Sequence, residues 1–212
     1  VRWLFPQVSE FLPLRRKGIR LMTNADALQL FEDAGALLSG HFRLSSGLHS
    51  DAYLEKFRLV ERPDLLTTLC QTIANKFKDD NIEIVLGPTT AGIILAYDVA
   101  RYLGVEARYA ETEGTERKLR RGQVLDPSTR VLVVDDILTT GKAIRECLDV
   151  INRHEAVLAG VGVLGDRSGG SVQFGARLEA ALTMKVETWT EEDCPQCKAG
   201  VPIYQPGTRN LS

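Results

Sequence analysis

An α/β fold built on a parallel central sheet is what the sequence predicts, and two observations carry that prediction. Short apolar runs, IEIVLG at 82–87, VLVV at 131–134 and VLAGVGVL at 157–164, have the length and composition of buried strands. Between them lie segments of helical period. Strands of four to eight residues separated by helices imply a parallel sheet covered on both faces, because right-handed crossovers place the helices there.

Taken in order, the first 21 residues, VRWLFPQVSEFLPLRRKGIRL, hold two prolines and a basic cluster but no sustained period. Their charges follow the apolar part, the reverse of a secretory signal. We expect a tail or an upstream mis-start there, with folding beginning near Met22. MTNADALQLFEDAGAL then opens a helix with Asn24 as its expected cap. HFRLSSGLHSDAYLEKFRLV, 41–60, holds two short extended pieces around Ser-Ser-Gly and reads as a small accessory subdomain. Pro63 starts a helix whose apolar positions Leu66, Leu69, Ile73 and Phe77 repeat every three or four residues. After the 82–87 strand, GIILAYDVARYL forms a helix that stops at Gly104, and VEARYA at 105–110 is extended. The next 20 residues are polar and contain Arg117, Lys118, Arg120 and Arg121. They read either as a solvated charge run or as a mobile lid that closes on an anion. The 131–134 strand, a helix over 143–151 and the 157–164 strand follow.

Composition narrows the function classes. With 44% hydrophobic and 25% charged residues, the 212-residue chain is neither disordered nor fibrous. Its 26 basic and 28 acidic side chains leave a net charge of -2, which gives no bulk attraction to nucleic acid or anionic membrane. GIILAY and the other apolar stretches fall far short of the roughly 20 residues that span a bilayer. Four cysteines are too few for a disulfide-stapled module, so we expect a reducing, cytoplasmic setting.

The chemistry concentrates in VLVVDDILTTGKA, 131–143. An open α/β sheet binds ligands at the carboxyl ends of its strands, where this one delivers Asp135 and Asp136. Adjacent carboxylates repel a phosphate but accept hydrogen bonds from the two hydroxyls of a vicinal diol. Thr139, Thr140, Gly141 and Lys142 then turn into a helix whose free N–H groups and positive dipole end favour an anion. A diol site beside a phosphate site describes a sugar phosphate. The bland alternative is a strand-turn-helix with a Thr cap. A nucleotide-binding P-loop fails, because Gly141-Lys142 is followed by Ala143 and Asp136 stands where the first glycine belongs.

This stretch closely resembles the PRPP-binding signature of the type I phosphoribosyltransferases. GHFRLSSGLHSDAYLEK, LGPTTAGIILAYDVARYLGV, YAETEG with LRRG, and CPQCKAGVPIYQPGTR narrow the resemblance to the orotate phosphoribosyltransferases, over about residues 24–209. It implies the type I fold, with a core of about 63–185 and a hood formed from about 22–60 and 186–212. Asp135 and Asp136 would hold the ribose hydroxyls, Thr139, Thr140, Gly141, Lys142 and Ala143 would hold the 5′-phosphate, and Ile137 and Leu138 would complete the PRPP-binding stretch. Pro88, Thr89, Thr90 and Ala91, with Arg120 and Arg121 of the lid, would receive diphosphate. Thr139 and Arg167 would contact orotate, a guanidinium fork suiting its carboxylate. Asp136 and Lys118 take the catalytic roles. Mg2+ is the implied cofactor, and a homodimer is implied by a lid that reaches a neighbouring site. The chain departs from many orotate enzymes at Ser45, Ala91 and Thr112, and its lid lacks a histidine.

Two rivals share parts of this pattern. Arg167 and the Ser-Ser-Gly segment argue against a purine-base phosphoribosyltransferase. A noncatalytic PRPP-sensing regulator should carry a basic face or a helix-turn-helix, and neither is evident. Cys194 and Cys197 have ligand spacing, but zinc needs four ligands. Cys70 and Cys147 sit in helical patterns, and His41, His49 and His154 have no cysteine or acidic partner at ligand spacing. No resident metal site is expected.

Overall fold

The computed structural model describes residues 22–44 and 46–206, so the expected tail and Ser45 lie outside the described residues. Its first helix, α1 (Asn24–Asp33), is capped by Thr23 instead of Asn24. The Thr23 hydroxyl accepts from the Asp26 N–H at 3.2 Å, and the Asp26 carboxylate accepts from the Thr23 N–H at 2.9 Å. Asn24 is committed elsewhere, pairing with both backbone groups of Thr183 at 2.7 and 3.0 Å.

Two strands, β1 (Leu37–Arg43) and β2 (His49–Leu54), form an antiparallel hairpin of their own. The short α2 (Phe57–Val60) leads into α3 (Pro63–Phe77), and the alternating core follows: β3 (Ile84–Pro88), α4 (Ala91–Leu103), β4 (Glu106–Glu113), β5 (Glu116–Lys118), β6 (Arg130–Leu138), α5 (Lys142–Arg153), β7 (Val157–Asp166) and β8 (Leu178–Thr183). The sheet order is β5-β4-β3-β6-β7-β8, parallel except for the edge strand β5. A small α6 (Pro195–Lys198) lies near the end of the described chain.

Three features depart from the sequence reading. Part of the polar 111–130 stretch continues β4 to Glu113 and turns back as β5, pairing Thr112 with Arg117. Cross-strand hydrogen bonding satisfies a backbone that polarity alone marked as loop. The strand at 131–134 runs on through the acidic pair to Leu138, because β7 pairs with it as far as Asp166. β8 has no continuous apolar run to reveal it, since as an edge strand it is only partly covered.

Side-chain alternation along β6 divides the core. Leu132 and Val134 pack with α1, α3 and α4 on one face, and Val131 and Val133 pack with α5 on the other. Helix α3 lies close to β7: a Cβ on Gly160 would come within 2.4 Å of the Phe77 ring, and one on Gly162 within 2.5 Å of Ile73. Successive connections leave β3 on opposite sides, first to β4 and then across to β6. The crevice between the carboxyl ends of β3 and β6 is therefore the switch point at which such sheets bind ligands.

The close approach at β7 has a measurable consequence. Gly162→Ala and Gly160→Ala should each destabilise the fold by about 1–3 kcal/mol, the usual cost of overpacking a dense core. Thermal melting points equal to that of the parent would show that α3 does not need this contact.

Candidate active site

A cavity of about 310 Å³ opens at the switch point. Its wall brings together Asp135, Asp136, Ile137, Leu138, Thr139, Thr140, Gly141, Lys142 and Ala143 from β6 and α5, and Pro88, Thr89 and Thr90 from the end of β3. Ala91, the first residue of α4, is buried just behind that turn.

Gly141 makes the turn possible. It adopts φ 74° at the N-terminus of α5, and a Cβ there would meet the Phe174 ring at 2.8 Å. The first N–H groups of α5 have no acceptor within the helix, and they face a cavity edged by two threonines.

The acidic pair stands opposite. Asp136 is buried, Asp135 half-buried, and their carboxylates accept from the N–H groups of Ile137 (2.6 Å) and Asp136 (2.9 Å) respectively. Burial, then the charge of Asp136, pushes the Asp135 carboxyl up to about 7. Counter-charge comes from Lys56, at the start of α2, whose ammonium lies 2.8 Å from Asp136. Burial works against the charged form of Lys56, but attraction to Asp136 outweighs it and raises its pKa. Sequence reasoning did not assign Lys56. It lies 80 residues from its partner, and its only local signal was its place at the end of the 40–56 motif.

The basic cluster of the hairpin divides. Arg117 turns inward, lines the cavity and is buried, its guanidinium donating to Thr89 Oγ1 (3.1 Å), the Ala110 carbonyl (3.0 Å) and Glu146 (2.9 Å). Lys118 does not reach this cavity; it is exposed and pairs with Glu113 at 3.1 Å. Arg120 and Arg121 are also outside it, beside Glu111 and Glu113. Thr112, expected to depart from the family pattern, pairs in register with Arg117, so the inward cation comes from the opposite strand.

Arg167 does not line the cavity, but its backbone N–H donates to the carbonyl of Leu138, which does. Burial lowers the pKa of its guanidinium, and its Nε is buried with no hydrogen-bond partner among the described residues. An unpaired buried donor of this kind suits an incoming anionic group. At the far end of the hairpin, His41 and His49 lie against Cys194 and Cys197, contrary to the expectation that the histidines have no cysteine partner.

Comparison with known proteins places this geometry in context. Residues 62–173 match the family model described as "Phosphoribosyl transferase domain". The chain is 45% identical over 190 residues to the orotate phosphoribosyltransferase of Pelotomaculum thermopropionicum, covering 90% of this chain and all of that one. The crystal structure of orotate phosphoribosyltransferase from Aeropyrum pernix superimposes with a TM-score of 0.63 at 28% identity, over 74% of this chain and 92% of that one. Adenine phosphoribosyltransferase from Rhodothermus marinus matches at 17% identity, TM-score 0.57, over 76% of this chain and 99% of that one, a likeness of fold alone.

Because its folded pKa is raised, Asp135 contributes stability that is fully present below its unfolded value near 4 and is lost as pH rises toward 7. Asp135→Asn should therefore be more stable than the parent at pH 8, by about 1–2 kcal/mol after solvent screening, with the gap closing as pH falls toward 4. Denaturation at the two pH values checks this, and a gap that widens toward low pH would contradict it.

Proposed function

The chain belongs to the orotate phosphoribosyltransferase family, and we propose that the cavity between β3 and β6 is where it transfers the phosphoribosyl group of PRPP to orotate, giving orotidine 5′-monophosphate and diphosphate in pyrimidine synthesis. The observation that carries this assignment is the meeting, in one cavity, of an acidic pair, a helix N-terminus and the β3 turn. One takes the ribose diol, the next the 5′-phosphate, and the last the diphosphate.

The chemistry follows from this placement. Asp135 and Asp136 accept hydrogen bonds from the ribose hydroxyls and so fix C1′ between nucleophile and leaving group. As the C1′–oxygen bond to diphosphate breaks, the ring becomes oxocarbenium-like, the departing oxygens gather charge, and a ring nitrogen of orotate bonds to C1′ from the opposite face. The β3 turn, held by Arg117, meets the leaving group with backbone dipoles. Lys56 offsets the charge of Asp136. Once the diol engages that carboxylate, the ammonium faces the leaving diphosphate. Arg167 supplies a fork for the carboxylate of orotate, with Thr139 beside it.

Mg2+ fits this donor set. The two carboxylates are hard oxygen donors, and the ammonium beside Asp136 marks a position that accommodates positive charge. Bound with PRPP, the ion would offset negative charge on the diphosphate. A homodimer is supported by Ile94 and Tyr97, exposed apolar neighbours one turn apart on α4 (43% and 66% exposed). It is also supported by Lys118, Arg120 and Arg121, which stand outside their own cavity where a partner's site could use them. Four free cysteines support a reducing, cytoplasmic setting.

The direct test is ultraviolet depletion of orotate with PRPP and Mg2+, and turnover of adenine in its place would overturn the assignment. In that assay Lys56→Met should lower kcat by on the order of 10²-fold, as removal of a preorganised charge donor does, and Asp136→Asn should raise the KM for PRPP. An unchanged rate in both variants would remove the ion pair from the mechanism. Tyr97→Glu should convert the dimer to monomer by light scattering, and a monomeric parent would refute the α4 interface.

A further inference from the structure

We propose that His41, His49, Cys194 and Cys197 form a structural zinc site that fastens the C-terminal segment to the β1–β2 hairpin. The ligand atoms of all four residues lie within 4.8 Å of one another. His41 Nε2 is 3.4 Å from Cys194 Sγ, 3.6 Å from Cys197 Sγ and 3.1 Å from His49 Nδ1, and His49 Nδ1 is 3.2 Å from Cys197 Sγ. Ligands at ordinary zinc distances on a tetrahedron are separated by about 3.3 Å for two nitrogens and about 3.6 Å for nitrogen and sulfur. The four atoms thus already outline a coordination shell, needing adjustments of a few tenths of an ångström.

The surroundings fit the same ion. His41 Nδ1 lies 2.8 Å from the Val201 carbonyl. A proton held on Nδ1 by that carbonyl leaves Nε2, the atom facing the sulfurs, with its lone pair free. His41, His49 and Cys194 are buried and Cys197 is partly exposed, which leaves an entry path. Two nitrogens and two sulfurs select zinc over hard cations such as Mg2+, and a closed set of four ligands leaves no open position for catalysis. Binding converts both thiols to thiolates and releases their two protons to solvent, with no change in oxidation state.

The fold gives the ion a purpose. A two-stranded hairpin is marginal by itself, and here the residues around 187–204 cross it through a few backbone bonds, among them His49 with Trp189 (2.8 and 2.9 Å) and Tyr204 with His41 (2.7 Å). The same hairpin leads to Lys56. Zinc would lock the crossing and the position of Lys56 together.

The test uses the full-length chain purified without chelators, with zinc measured by mass spectrometry. We expect about one zinc per chain, none in Cys194→Ser or His41→Ala, and an unchanged content in His154→Ala. If the ligand variants fail to fold, cobalt exchanged into the parent protein decides the matter: a tetrahedral site with two thiolates gives intense d–d bands and a thiolate charge-transfer band. A parent chain that stays folded in reducing buffer yet takes up neither zinc nor cobalt overturns the proposal, as does a Cys194–Cys197 disulfide in the isolated protein. None of these readouts depends on phosphoribosyl transfer.

Discussion

Two carboxylates, adjacent in sequence at the end of a buried strand, impose the constraint around which the site is arranged. Burial disfavours the charged form of Asp135 and the neighbouring Asp136 charge adds to this, so its pKa lies near neutrality. The protein answers with Lys56 at 2.8 Å from Asp136 and with backbone N–H groups donating to both carboxylates. The result is an electrostatically loaded cavity. A group that brings hydrogen-bond donors or positive charge to this pair would relieve the repulsion further.

The lid illustrates how tertiary structure sorts charges that look equivalent along the chain. Arg117 and Lys118 are neighbours, but a strand sends successive side chains to opposite faces. Arg117 therefore goes inward to hold Thr89 and the Ala110 carbonyl, while Lys118 goes outward to glutamates. A buried guanidinium bonded to Thr89, Ala110 and Glu146 at once is a fixed part of the cavity wall. Lys118 is exposed and held among carboxylates instead.

The hairpin that delivers Lys56 is the least self-sufficient part of the fold. It belongs to a two-stranded sheet and relies on the far end of the chain to cover it. Its cluster of nitrogen and sulfur ligands lies where those two segments cross, so the integrity of the crossing and the placement of the active-site ammonium share one scaffold.

Local patterns in the sequence determined the elements and the kind of chemistry. Apolar runs marked the strands β3, β6 and β7, period marked α3 and α4, and Asp-Asp followed by Thr-Thr-Gly marked residues that line one cavity. These are legible because helix and strand geometry act over a few residues. Only the tertiary structure decided that Thr23 and not Asn24 caps α1, that the charged stretch pairs as β5, that Lys56 meets Asp136, and that His41 meets Cys194 from 153 residues away. Each of these depends on which distant surfaces pack together, and chain closure over such spans leaves no periodicity for a sequence to display.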